Sequence, residues 1–290
     1  GMGLDLANPS AVGQPIAKLE NKGNIIIHSN SEPYFLTTIG MQLESLSSNS
    51  TISGELINSG KITVTNAPDL PSESGQVSAI LINVGTVSPT ANIKTGNIDL
   101  LANNSNGITI GQAQRNLTLP NLTIDGSGGV INVVGYGSTA MIVGTPLGQT
   151  TSTNTLENIR NININLNGMY GRGIVIDFSK PFFQNKPVVL NDQIIQSITV
   201  GPNSIRSSLI TKFRANILIA SSLANAITNN SGESNFVIFN INGTLINHMP
   251  IIVGNEANKG VGIINLSDSE TPASLVTNYG DITINSSPQY

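Results

Sequence analysis

The sequence predicts an all-β protein, a parallel β-helix in which short strands stack coil upon coil as a β-solenoid. One observation is a seven-residue pattern, Asn-x-Gly-x-Ile-x-(Ile/Val), which recurs at residues 21–27, 58–64 and 278–284. A second is composition, since the 290 residues include 38 Asn and 39 Ile, with charged residues at 10% and aromatic residues at 4%. Hydrophobic residues at 39% are enough to bury a core.

The copy at residues 58–64 shows how one unit folds. Ile62 and Val64 are separated by Thr63, so a strand places both aliphatic side chains on one face and the polar one on the other. Gly60 has no Cβ atom and can adopt a turn conformation that most other residues reach only at an energetic cost. Asn58 is of another residue type that tolerates this conformation. The pattern therefore predicts turn, strand and turn, with strands stacked about 4.8 Å apart and corner Asn side chains forming ladders.

Glycine spacing suggests the size of a coil. Gly23, Gly60 and Gly96 are 36 to 37 residues apart, and Gly260 precedes Gly280 by 20. We interpret this spacing as a unit of about 18 to 20 residues with some degenerate copies. About 14 such coils predict a rod roughly 70 Å long.

Other folds and interruptions stay open at this level. Alternating strands with Gly and Asn turns also fit a β-sandwich or jelly roll. Residues 207–226 have apolar positions near helical spacing, although 215–220 also fits a strand. Residues 144–154 and 180–192 are predicted to be loops outside the stack. We expect residues 1–290 to form a single β-solenoid domain, with a fragment of a longer exported protein as the open alternative.

Charge and apolar content exclude two classes of partner. The net charge is −4 without a run of Lys or Arg, which argues against nucleic acid and anionic membrane surfaces. No apolar stretch approaches the roughly 18 to 20 residues of a membrane-spanning helix. The absence of Cys excludes disulfides and thiolate sites, and it is compatible with either the cytosol or export.

Acidic residues are the candidates for polysaccharide chemistry. The phrase Ile124-Asp125-Gly126-Ser127-Gly128 and the proposed coil length resemble pectinase-like β-helix enzymes, whose hydrolysis needs paired carboxylates. The more economical interpretation of Asp125-Gly126 is a turn. The enzyme alternative, a lyase or glycoside hydrolase, predicts that distant acids converge in a cleft with Arg160, Arg172 or Lys180. The acids concerned are Asp99, Asp125, Asp177 and Asp192.

No catalytic residue, metal site or cofactor is predicted. His28 and His248 are the only histidines, and their spacing does not resemble a ligand pair, so we interpret each as a polar strand or turn residue. No phosphate-binding loop or serine-nucleophile elbow occurs in the sequence.

Recurring Asn-x-Gly-x-Ile-x-Ile units, scarce charge, no Cys and an Asn, Ser, Thr and Gly surface resemble the passenger regions of bacterial autotransporters and related adhesins. That resemblance implies a right-handed parallel β-helix at the cell surface or secreted, which contacts a host surface, a glycan or neighbouring cells. A structural stalk explains the same residues. Phe182 and Phe183 are the candidate binding residues, as a candidate exposed aromatic patch, and packing of each ring in the core is the alternative. The residues before Tyr290 lack the sequence pattern of the membrane strand that ends an autotransporter, so we expect either a translocator outside this sequence or another export route.

Overall fold

The chain folds as a parallel β-solenoid. The structure, a computed structural model, describes residues 2–5, 17–29, 38–45, 54–66, 77–84, 91–111, 122–145, 159–178, 187–228, 235–253, 260–267 and 274–285. These residues form 27 strands, no α-helix and one 3₁₀ helix, Ser221–Asn225. All strand pairs among them are parallel. The predicted solenoid is confirmed, and the sandwich alternative, which requires antiparallel pairs, is wrong.

Strands follow one another in a fixed order around three faces. The longest sheet, sheet A, has nine strands. They are Met2–Asp5 (β1), Thr38–Ser45 (β4), Val77–Val84 (β7), Ser105–Ile110 (β10), Thr139–Thr145 (β13), Arg172–Phe178 (β16), Ser208–Phe213 (β19), Asn235–Ile241 (β22) and Gly260–Leu266 (β25).

The other two places in each coil are filled by two pairs of sheets. Sheet B contains Ala17–Asn21 (β2), Gly54–Asn58 (β5), Ala91–Lys94 (β8), Leu122–Asp125 (β11) and Ile159–Arg160 (β14), and sheet D takes its place with Val188–Leu190 (β17), Ile217–Ile219 (β20), Thr244–Asn247 (β23) and Leu275–Asn278 (β26). Sheet C contains Asn24–Ser29 (β3), Lys61–Asn66 (β6), Asn97–Leu100 (β9), Ile131–Val133 (β12), Ile162–Leu166 (β15), Ile195–Val200 (β18) and Ile227–Thr228 (β21), and sheet E takes its place with Ile251–Val253 (β24) and Ile282–Ile284 (β27).

One coil is about twice as long as the sequence spacing suggested. In sheet C, Ile25 pairs with Ile62, and Ile62 with Ile98, so equivalent positions are 37 and 36 residues apart. Each coil has three strands, and the motif marks only the corner before sheet C. The predicted unit of 18 to 20 residues is therefore wrong. Nine strands at 4.8 Å give sheet A a height of about 40 Å, not 70 Å.

Stacked isoleucines form the core, as the alternation predicts. Successive coils place Ile62, Ile98, Ile131 and Ile164 one above another, and none is more than 2% exposed. Each strand has too few apolar residues to bury its own inner face, so the column forms only when neighbouring coils are present. β-Branched side chains suit this column because they occupy few rotamers on a strand.

Corner asparagines form the predicted ladder. Asn21 Nδ2 donates to Asn58 Oδ1 at 2.8 Å, and Asn58 Nδ2 donates to the Thr95 carbonyl oxygen at 2.8 Å. Both Asn side chains are buried. The Asn of the motif thus satisfies backbone and amide groups where the chain turns between sheets B and C.

Two expectations for the second half are corrected. Residues 207–226 form β19, β20 and the 3₁₀ helix Ser221–Asn225, so the helical interpretation is wrong and the strand at 217–219 is found. Their apolar spacing arises because inward positions from two separate strands coincide with a helical period. Residues 188–190, expected in a loop, form β17 within the stack. Residues 144 and 145, also expected in a loop, are the last residues of β13. Residues 146–154 and 180–186 lie outside the described residues.

The apolar columns are partly exposed to solvent in the last coil that the structure describes. Ile282 and Ile284 continue the columns of buried Ile251 and Val253, but they are 45% and 71% exposed. Within the described residues no helix is both long and apolar enough to cross a membrane.

Candidate functional site

One corner of the solenoid repeats an unusual backbone conformation. Where the chain passes from sheet C to sheet A, Asn104, Gly137, Tyr170 and Arg206 occupy the corner in four successive coils. Their φ angles are 49°, 66°, 55° and 52°. The backbone N–H of Tyr170 donates to the Ile205 carbonyl oxygen at 2.8 Å, and that of Gly137 donates to the Met169 carbonyl oxygen at 3.0 Å. Corner-to-corner hydrogen bonds thus hold the left-handed turn.

Tyr170 and Arg206 are exceptional at these positions. Asn and Gly adopt positive φ readily, so Asn104 and Gly137 need no further explanation. A tyrosine or an arginine in this region costs roughly 1–2 kcal/mol relative to its usual conformations. Two large side chains held at that cost in adjacent coils indicate a role other than making the turn.

The side chains at this corner form an aromatic and cationic stack. The rings of Tyr136 and Tyr170 are 5.0 Å apart between centroids with an interplanar angle of 52°. Arg206 Nη1 donates to the Tyr170 hydroxyl at 2.9 Å, and its guanidinium carbon lies 5.9 Å from the centre of that ring. Tyr136 is 49% exposed and neighbouring Met169 is 43% exposed. Aromatic and cation–π contacts of this kind orient the exposed side chains.

A pocket of about 150 Å³ opens beside this stack on sheet A. Tyr170, Arg172, Arg206, Phe213 and Phe239 line it. The hydroxyls of Ser208 and Thr211, 2.6 Å apart, also face it. We call this set of lining residues, together with Tyr136, the corner site.

The corner site is positively charged in an acidic protein. Neither Arg172 nor Arg206 has a carboxylate within 4.0 Å among the described residues, and no acidic side chain lines the pocket there. The chain as a whole has a net charge of −4. Two guanidinium groups without a described anionic partner make an anion the favoured occupant.

The acidic residues singled out from the sequence do not gather. Asp99 lies on sheet C beside Lys61, Asp125 on sheet B 3.4 Å from Arg160 Nε, and Asp177 on sheet A 3.2 Å from Arg214 Nη2. Three different faces therefore carry these carboxylates, each next to a cation on a neighbouring strand or corner. The cleft that the enzyme alternative predicts is not formed by these three acids.

The remaining candidates of that cleft are also placed. Asp192 is exposed in the turn after β17, and Arg172 lies in the corner site. Lys180 lies outside the described residues. Burial raises the pKa of Asp177, an effect that the charge of Arg214 and its hydrogen bond oppose.

Asp125 makes the turn that its sequence indicates. Its Oδ1 accepts from the Ser127 N–H at 2.9 Å, from Ser127 Oγ at 2.6 Å and from Asn161 Nδ2 at 3.0 Å. Partial burial acts to raise the pKa of Asp125, but these hydrogen bonds and the Arg160 charge outweigh it and lower the pKa to about 2. The turn interpretation is confirmed.

The two histidines and the two candidate phenylalanines have different outcomes. His28 is an exposed residue of β3, and His248 is an exposed corner residue whose ring stacks on Tyr279 at 4.8 Å, so their interpretation as strand and turn residues is confirmed. Within the described segments no three metal-ligating side chains lie together. Phe182 and Phe183 lie outside the described residues.

A buried lysine interrupts the apolar interior. Lys212 on β19 follows Ile176 in register and is fully buried, with Nζ donating to the Asn242 carbonyl oxygen at 2.6 Å. Burial lowers its pKa to about 7. The next residue in the column is Asn240, which is also fully buried. This interior position is closed to solvent and is separate from the corner site on the outer surface.

Comparison of the chain with protein-family models, with curated proteins and with solved structures gave no match. The function proposed for the corner site therefore depends on its own geometry and chemistry.

Proposed function

We propose that this protein is a surface-displayed or secreted β-solenoid that contacts a host surface, a glycan or a neighbouring cell. The observation that carries this proposal is the corner site, where Tyr170 and Arg206 hold positive φ angles and remain at the surface. Strained residues persist where a function selects them, since Asn or Gly makes the same turn at lower cost.

The composition of the remaining surface supports a contact role. Apart from the corner site and the last described coil, outward positions in the sheets are commonly Asn, Thr or Ser, as in β12 and β15. Aromatic residues amount to 4% of the chain, yet four of them meet at one site: Tyr136, Tyr170, Phe213 and Phe239. Aromatic and Arg side chains are enriched where proteins bind partners.

A structural stalk has no need for such a site, and a polysaccharide-degrading enzyme needs carboxylates that converge. The contact role is the proposal that uses both the strained corner residues and the pocket beside them.

Binding of the whole chain to cells and to an immobilised glycan panel tests the proposal. We expect saturable binding that Tyr170→Asn weakens at least tenfold, because Asn keeps the turn and removes the aromatic surface. His28→Asn, on a different face, is the matched control and should bind like the wild type. No saturable binding, or equal binding by the wild type and Tyr170→Asn, contradicts the proposal.

A further inference from the structure

The charge of the corner site indicates the chemical class of its ligand, given the contact role proposed above. Arg172 comes from the start of β16 and Arg206 from the corner of the next coil, and both line one pocket of about 150 Å³. An occupant of that pocket therefore lies beside both arginine residues. Arginine binds carboxylates through two parallel N–H donors, so an anionic group is the natural partner.

The size of the pocket favours a single ring. It is smaller than the roughly 300 Å³ at which drug-sized ligand pockets begin, whereas a cavity of about 150 Å³ accepts a six-membered ring such as benzene. Tyr170, Phe213 and Phe239 supply aromatic surface around it. The apolar face of a sugar ring can pack on such side chains.

Hydroxyl groups complete the lining. Ser208 Oγ and Thr211 Oγ1 share one hydrogen bond at 2.6 Å, which leaves acceptor lone pairs and one hydroxyl proton for a ligand. A sugar ring offers hydroxyls at its edge to use them. Nucleic acid does not fit the same charge pattern, because the chain is acidic and two arginines do not make a phosphate-binding track.

We propose that the corner site binds a carboxylated sugar of an acidic glycan. The carboxylate lies between Arg172 and Arg206, the ring packs on the aromatic side chains, and the ring hydroxyls bond to Ser208 and Thr211. The site recognises one sugar at a time, and an extended glycan continues past exposed Tyr136 and Met169.

Calorimetric titration of the whole chain with matched oligosaccharides tests this inference. The panel contains oligomers of glucuronate, of galacturonate and of a sialylated sugar, each beside its carboxyl-reduced neutral counterpart, with a sulfated oligosaccharide and a Glu-rich peptide as competitors. We expect at least one carboxylated oligomer to bind more tightly than its reduced counterpart by tenfold or more, with affinity falling as salt rises.

Arginine variants provide the second arm. Arg172→Gln and Arg206→Gln should each weaken binding of the carboxylated oligomer tenfold or more, while Arg160→Gln on sheet B leaves it unchanged. Circular dichroism confirms that each variant is folded. Equal binding of carboxylated and reduced oligomers, or tighter binding of the sulfated sugar or the peptide, overturns the inference but leaves the contact role in place. If no glycan and no cell binds, both proposals fail.

Discussion

Tyr170 and Arg206 occupy the same corner in successive coils, 36 residues apart, and both hold φ near +50° with a hydrogen bond from the guanidinium to the phenol at 2.9 Å. The corner one coil earlier has Gly137 and the corner before that has Asn104, so the turn itself requires neither a tyrosine nor an arginine. This pairing of strain and exposure links the fold to the proposed binding site.

Arg206→Asn should separate folding from binding. Asn adopts positive φ more readily than Arg, which offsets loss of the exposed contact with Tyr170, so the free energy of unfolding should stay within about 1 kcal/mol of the wild type. Binding should fall at least tenfold. Urea denaturation measures the free energy of unfolding, and glycan titration measures binding. A large loss of stability would show that Arg206 stabilises the folded chain rather than serving binding.

The stacked column predicts where core truncation is severe. Ile131→Ala removes a side chain buried between Ile98 and Ile164 and should destabilise the chain by about 2–5 kcal/mol. Ile26→Ala, on an outward position that is 61% exposed, is the matched control and should change stability by about 0.5 kcal/mol or less. Equal effects in urea denaturation are incompatible with the assigned inward face.

Lys212 predicts a rise in stability with pH. Its folded pKa of about 7 lies below the unfolded value near 10.4, so the folded state binds fewer protons between these pH values. The penalty for the buried charge is present in full below pH 7 and disappears as pH rises toward 10, an effect of at most ~5 kcal/mol.

Lys212→Met should therefore flatten the pH dependence of unfolding between about pH 7 and 10. Lys18→Met, at a side chain that is 48% exposed, is the control and should retain the wild-type slope. Thermal unfolding across that pH range measures both variants. If the pH dependence of unfolding in Lys212→Met is parallel to that of the wild type, burial does not lower the pKa of the Lys212 amine.

Asp125 predicts a smaller effect in acid. A folded pKa of about 2, below the unfolded value, stabilises the chain above about pH 4 and is lost as pH falls toward 2. Asp125→Asn should cost about 1 kcal/mol or less at pH 7, since Asp125 and Arg160 are partly solvated, and should reduce the acid slope. Asp192→Asn, at an exposed position, is the control. If Asp125→Asn leaves the pH dependence of the free energy of unfolding in acid unchanged, the hydrogen-bonded turn is contradicted.

The local pattern could be predicted from sequence because each part depends on near neighbours. Asn58, Gly60, Ile62 and Val64 specify a corner and an inward alternation, and the structure has both. Coil length could not be predicted in the same way, since the third strand of each coil lacks the motif. The period of 36 to 37 residues is visible in Gly23, Gly60 and Gly96, but the spacing alone fits two short coils as well as one long coil.

The corner site can be recognised in the sequence only when the longer coil period is known. Once the chain is aligned in coils of 33 to 37 residues, Asn104, Gly137, Tyr170 and Arg206 fall at one turn position, and the two large side chains stand out. With units of 18 to 20 residues they do not align. The contribution of Phe213 and Phe239 depends further on lateral pairing of β19 with β22, which a single sequence does not specify.

The most direct test of the binding claim is a crystal structure of the chain with the tightest-binding carboxylated oligosaccharide. We predict that the sugar ring lies in the pocket between Tyr170, Phe213 and Phe239, with its carboxylate in hydrogen-bond contact with Arg172 and Arg206. A ligand bound on another face, or one whose carboxylate points away from both arginines, contradicts the account.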